Sequence, residues 1–249
     1  MAETREIASI LEIQNLKKSF GQHTVLNGFN LRLMKGENLV VMGKSGSGKS
    51  VMIKCLVGLI RPDSGRIIIK GQDITALNKA QLDLLRAEIG FLFQGSALYD
   101  SMTVRENLEF PLRRHKKILK EVGSTEAAVL EALDSVDLRD TIDLMPIELS
   151  GGMQRRIALA RALILKPNII VYDEPTTGLD PITSKEIIQL MCSVQKQYGT
   201  SSLIITHDID CARVIANRII LLVDGINYAE GSFAELSNSK DPKIRAFFK

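Results

Sequence analysis

Gly43-Lys44-Ser45-Gly46-Ser47-Gly48-Lys49-Ser50 is the stretch that decides how this chain folds. It has the spacing G-x-x-x-x-G-K-[ST], between the apolar run Leu39–Met42 and an amphipathic segment from Val51 to Ile60. Glycines at 43, 46 and 48 let the backbone turn tightly, so that successive N–H groups point inward at phosphate oxygens. The helix that follows adds its positive N-terminal end. Lys49 is placed to reach the β- and γ-phosphates of a nucleotide, and the Ser50 hydroxyl to hold Mg²⁺. Lys44, Ser45 and Ser47 complete the nucleotide-binding loop. The motif establishes nucleotide binding and no more, since GTPases, kinases and recombinases share it.

Working outward, short apolar runs near 39–42, 67–69, 90–93, 169–172, 203–206 and 219–223 read as strands. Several are apolar without alternation, which suits parallel strands covered on both faces. The stretches 49–60, 155–165 and 182–198 read as helices between them. The expected fold is α/β: a P-loop core on a mainly parallel sheet, with an antiparallel β part near the N-terminus. The interval 94–153 has few strand signals, and the spacing predicts helices over 104–118 and 125–137, the second capped by Ser124 or Thr125. The expected organisation is a catalytic core over 1–93 and 154–236, a helical insertion over 94–153 and a tail over 237–249. In the tail Asp241 is expected to cap a short helix with Pro242 in its first turn, and Ile244, Phe247 and Phe248 on one face.

The chain has 249 residues, 45% of them hydrophobic, and a formal net charge of +3 with acids and bases well mixed. That excludes a strongly basic nucleic-acid binder, so no nucleic-acid partner is expected. Cys55, Cys192 and Cys211 are widely spaced and odd in number, which suggests neither a disulfide framework nor a zinc site and fits a reducing cytosol. The N-terminal residues lack an apolar signal core. No apolar run approaches the ~20 residues needed to span a bilayer, so a membrane role would require another chain to do the spanning.

Four further positions carry chemistry. The strand Ile169–Tyr172 ends in Asp173-Glu174. An acid at a strand's carboxyl end sits where it can organise Mg²⁺ waters, and the second acid is placed to polarise an attacking water. Gln94 and His207 follow strands of their own. A glutamine there can ligate Mg²⁺ or hold water, and a neutral imidazole can contact a γ-phosphate and the water-positioning acid. A histidine after a strand is alone more often structural, and the other motifs at the same edge favour the functional reading.

Gly43–Ser50, Gln94, Leu149-Ser150-Gly151-Gly152, Asp173-Glu174, Gly178-Leu179-Asp180 and His207 occur in the order seen in ATP-binding cassette (ABC) ATPases, which the chain resembles over nearly its whole length. The resemblance implies ATP and Mg²⁺ as ligands. It also implies two subunits head to tail, each ATP meeting the P-loop of one copy and Ser150, Gly151 and Gly152 of the other. The helix expected from Arg155 to Leu165 would present its N-terminal end to that γ-phosphate. Asp180, with Leu179, matches the loop that couples the two sites. Phe20 aligns with the aromatic that stacks on adenine; a buried aromatic after a strand over 10–16 is the other reading. Met153 departs from the family's usual glutamine.

The local wording Phe91-Leu-Phe-Gln94-Gly-Ser-Ala-Leu98, Thr103-Val-Arg-Glu-Asn107 and Phe110-Pro-Leu112 is similar to the ATPases of Mla-type, MCE-associated lipid transporters. That implies a homodimer at the cytoplasmic face of the inner or plasma membrane, an integral membrane permease, and an MCE-type lipid-binding protein as a possible further partner. Residues 95–99 and 108–112 would dock the permease, or pack inside the insertion. The tail would reach the partner ATPase, or pack on its own domain. The basic run Arg113–Lys117 with Lys120 is a solvated face or a contact with anionic headgroups. The competing reading is a non-transport ABC ATPase with a soluble, cluster-assembly or division partner.

Overall fold

The structure, a computed structural model, describes residues 8–115 and 123–248. Lys116, Lys117 and Lys120 of the basic run, and the end of the helix expected to 118, lie outside the described residues. The chain forms two compact units, 1–83 with 201–249, and 84–200.

The first unit holds two sheets. One is antiparallel, in the order β2 (His23–Met34), β1 (Ser9–Phe20), β4 (Ser64–Ile69), β5 (Gln72–Asp73). β1 runs well past the 10–16 expected, and its pairing with β2 is interrupted by several register shifts. Those bulges break the alternation by which a strand is recognised in sequence. The other sheet runs β10 (Ile226–Gly231), β9 (Arg218–Val223), β3 (Asn38–Met42), β8 (Ser201–Thr206). β3 is parallel to both its neighbours, and every residue of β3 and β8 is buried. Unbroken apolar sequence is what a central parallel strand requires, because both of its faces are covered. Helix α1 (Lys49–Leu56) leaves the end of β3 and stops short of the Ile60 expected. Past Leu56 the chain turns through Gly58, in the left-handed region at φ 66°.

The second unit pairs β6 (Ile89–Leu92) with β7 (Ile169–Asp173) in parallel. Helix α2 spans Lys79–Arg86, and the helices that follow include α3 (Val104–Arg114), α4 (Thr125–Asp134), α5 (Gly151–Leu163) and α6 (Pro181–Tyr198). The interval 94–153 falls wholly within this unit. Ser124 caps α4 by accepting from Ala127 N, and Thr103 with Glu106 forms a capping box on α3. Leu108 and Leu112 are buried while the Tyr99 and Phe110 rings meet at a tilt with centroids 4.8 Å apart and Tyr99 stays exposed. Part of the expected docking face is therefore core.

In the tail Asp241 caps a short helix (Pro242–Arg245) by accepting from Lys243 N, as the sequence suggests. Its carboxylate also accepts from the Tyr228 hydroxyl at 2.8 Å, which holds its pKa below the usual range. Phe248 meets Phe233 edge to face. The tail thus packs on its own unit.

Candidate nucleotide site

In the first unit the phosphate loop leaves β3 opposite the end of β8, Met42 standing beside Thr206. Gly43 and His207, the next residues of each strand, begin at the same sheet edge, and His207 is exposed. Gly46 and Gly48 take φ of 79° and 104°, conformations that glycine adopts without a Cβ penalty. Gly43 lies outside that region and serves the turn through space: a Cβ there would meet Ser47 Oγ at 2.3 Å and the main-chain Leu222 O at 3.0 Å. Gly48 caps α1 with no side-chain hydrogen bond, so the helix's first N–H groups are not claimed by a cap. Lys49 curls over the loop and donates to Gly43 O at 2.6 Å and Lys44 O at 3.0 Å. Ser47 Oγ is buried with no hydrogen-bond partner among the described residues. The loop's outer face, with Lys44 to Ser47, borders a cavity of about 730 Å³ that Val25, Lys243 and Phe247 also line. Phe20, at the end of β1, is 50% exposed with Lys18 over its ring, which rules out the buried-aromatic reading.

In the second unit the register aligns Leu92 with Tyr172, so Gln94 and Asp173-Glu174 emerge from the carboxyl ends of adjacent strands. Gln94 is exposed. Glu174 is buried, 9% exposed, and adopts φ 50°, a strained conformation for a non-glycine residue. Its carboxylate accepts from Thr177 Oγ1 at 3.3 Å. Tyr172, two residues earlier and fully buried, has its hydroxyl pKa pushed up by desolvation.

Ser150 is the N-cap of α5 and accepts from Met153 N at 3.2 Å. The helix therefore starts at Gly151, and the expectation of a start at Arg155 is corrected. Two glycines are weak helix formers, but the serine cap and tertiary packing carry the first turn. A Cβ on Gly152 would meet Thr183 Cγ2 at 2.6 Å, so the beginnings of α5 and α6 touch. Asp180 caps α6, accepting from Ile182 N, Thr183 N and the Thr183 hydroxyl. The Thr183 bonds, hydroxyl first, hold its pKa down.

The ABC transporter family model matches residues 26–177. The chain belongs to the ABC transporter family. It is 36% identical over 241 residues to the "Intermembrane phospholipid transport system ATP-binding protein MlaF" of Haemophilus influenzae, covering 97% of this chain and 90% of that protein. It is 39% identical over 237 residues to the "Probable ribonucleotide transport ATP-binding protein mkl" of Mycobacterium tuberculosis, covering 95% of this chain and 66% of that protein. Among solved structures, the dimeric post-hydrolysis state of the cassette MJ0796 bound to ADP and Pi is 35% identical, with a TM-score of 0.79 over 90% of this chain and 98% of that one. The cassette cbiO1 of Clostridium perfringens gives 0.84 at 28% identity, over 93% and 92%. As a member of this family the chain is an ATP-binding, ATP-hydrolysing subunit that energises a membrane permease. Among the described residues no helix is long and apolar enough to cross a membrane.

Sequence reasoning missed the residues that brace these turns. Asn107 is completely buried. Its amide donates to the carbonyls of Tyr99, Met102 and Thr103 and accepts from Tyr99 N. Arg161 donates to Ser96 O. Together they hold the loop after Gln94, where Ser96 and Ala97 both have positive φ. A polar residue spaced three or four positions from Val104, Phe110 and Pro111, on the apolar side of the helix, was the available signal for Asn107.

Proposed function

We propose that the chain is one of a pair of ATPase subunits driving a permease that moves phospholipid or another hydrophobic solute between membranes. Near-full-length likeness to the MlaF protein, together with the wording around Gln94, carries the cargo reading. The name of the mkl relative points to a different cargo, but this chain spans less of that protein.

Each side chain has a proposed role. Lys44 to Ser50 with Gly43 wrap the phosphates, and Lys49 answers the β- and γ-phosphate charge. Phe20, exposed and flat, stacks on adenine. Glu174 polarises the attacking water, with Gln94 and His207 orienting water and γ-phosphate. Ser150, Gly151 and Gly152 meet the γ-phosphate held by the partner copy, and Asp180 orders the neighbouring turn. Ile147 and Ile182, 90% and 73% exposed, flank those two turns and offer apolar surface to a second copy.

Mg²⁺ is the proposed metal. Among the described residues no three His, Cys, Asp or Glu side chains cluster as a metal cage. Mg²⁺ usually binds through a carboxylate or two plus substrate phosphates, and Ser50, Gln94 and Asp173 are the residues proposed to hold it with the nucleotide. It would neutralise charge on the phosphates.

Residues 94–153 are the proposed docking element for the permease, and the pair is proposed to lie at the cytoplasmic face of the membrane, with an MCE-type lipid-binding protein as a further component. Reconstitution with the permease in proteoliposomes tests the reading. ATP-dependent movement of a fluorescent phospholipid is expected; movement of ribonucleotide alone, or recovery of the chain only with soluble partners, would overturn it.

A further inference from the structure

Arg155 lies on α5, one turn beyond the Ser150 cap, and is 4% exposed. Nη1 donates to Phe93 O at 2.7 Å and Nη2 to Thr177 O at 3.3 Å, while Nε finds no acceptor among the described residues. Burial pushes the guanidinium pKa down. A buried charge held by two main-chain carbonyls is costly to keep in an apolar interior. Its position suggests a purpose. Phe93 is the residue before Gln94. Thr177 closes the turn that begins at Glu174: its amide donates to Glu174 O and its hydroxyl to the Glu174 carboxylate.

We propose that Arg155 is a positioning residue that locks the Gln94 strand end and the Glu174 turn to the helix carrying Ser150, Gly151 and Gly152. One side chain then joins the turn offered to the partner's ATP with the two segments that act on the chain's own. The planar guanidinium reaches two carbonyls at once, which an ammonium cannot do with the same geometry. A shift of α5 when phosphate meets Ser150 is passed to Gln94 and Glu174 through rigid contacts. The inference rests on the ATPase roles proposed for those two residues.

The test compares Arg155→Met, which keeps the stem and removes the donors, with Arg155→Lys and with Arg156→Ala. Arg156 is adjacent but bonds to Val136 O and Glu186, away from both turns. Affinity is read with a fluorescent ATP analogue, turnover by phosphate release, and local order by hydrogen exchange over 93–98 and 174–178. Arg155→Met is expected to lower kcat about 10- to 100-fold. Its nucleotide Kd stays within about twofold of wild type, the pattern of a lost hydrolytic alignment with binding intact. Both segments exchange faster together, Arg155→Lys is intermediate, and Arg156→Ala leaves both segments as in wild type. If Arg155→Met does not fold, the lysine variant carries the same expectation in smaller degree. Unchanged kcat, a Kd that worsens in step with kcat, or loosening of one segment alone would overturn the proposal. Failure of wild type to hydrolyse ATP would instead overturn the ATPase roles, and the exchange result would still decide the link.

Discussion

Two glycine- and serine-rich turns each open a helix, yet they are built in opposite ways. The phosphate loop ends at Gly48, in the left-handed region, and no side chain caps α1. The turn before α5 ends at Ser150, in extended conformation, and its hydroxyl caps the helix. The first therefore starts its helix without a side-chain cap, with Lys49 over the loop and the Ser47 hydroxyl, unpartnered among the described residues, beside it. The second completes its own cap: Gly152 lies close against Thr183, while Ser150 and Gly151 are exposed. A turn that completes its own helix and still presents glycines to solvent is suited to a ligand brought by another molecule. That contrast is the physical case for a working pair.

The largest expected effect sharpens the contrast by holding both turns on phosphate. Glu174→Gln removes the group proposed to polarise water and keeps the buried shape, so hydrolysis is expected to fall by about 10³-fold while Mg-ATP still binds. Gel filtration with light scattering is expected to show a dimer that depends on ATP; a persistent monomer in the presence of the permease would break the pairing account. Next, Lys49→Ala should cut turnover by about 100-fold or more through loss of charge at the phosphates. Full activity in that variant would remove the cradle from the first turn.

A smaller effect probes the second turn. Gly152→Ala forces a methyl against Thr183 Cγ2 and should cost about 1–3 kcal/mol of stability. Adding Thr183→Ser removes that methyl while keeping the hydroxyl bond to Asp180, and thermal unfolding of the double variant should recover most of the loss. No recovery would mean that the glycine serves only the ligand.

The smallest effect concerns the helix behind the first turn. Cys55 is buried in α1, and desolvation raises its thiol pKa from 9.0 to about 11. The unfolded thiol loses its proton first as pH rises, so the unfolded chain binds fewer protons between those values. Stability present below pH 9 is lost progressively toward pH 11, and Cys55→Ala should flatten that slope in denaturant titrations. An identical slope would place the alkaline loss elsewhere.

The two turns were also unequally legible. Gly43 to Ser50 could be read directly because everything it needs is local: a strand before, a helix after and glycines at the bends. Gln94, Asp173-Glu174 and His207 could be placed because each follows a recognisable apolar strand. The start of α5 could not, since two glycines argue against a helix and only the Ser150 cap and the contact with Thr183 override them. Arg155 was opaque for a stronger reason: its acceptors are carbonyls of Phe93 and Thr177, which any residue would supply and which sequence spacing does not mark. β1 was seen only as 10–16 and β2 was not read as a strand, because bulges break their period. Phe20 was ambiguous until its exposure was known.

The most direct test mixes two disabled copies, each in the Glu174→Gln background. Lys49→Ala spoils the first turn and Ser150→Arg the second. If the two turns act on one ATP across a pair, each variant alone occludes no nucleotide, and the mixture retains a single ATP per pair, held by the intact loop of one copy and the intact turn of the other. If the mixture occludes no more than the separate variants, the two turns do not share a nucleotide between copies and the account is wrong.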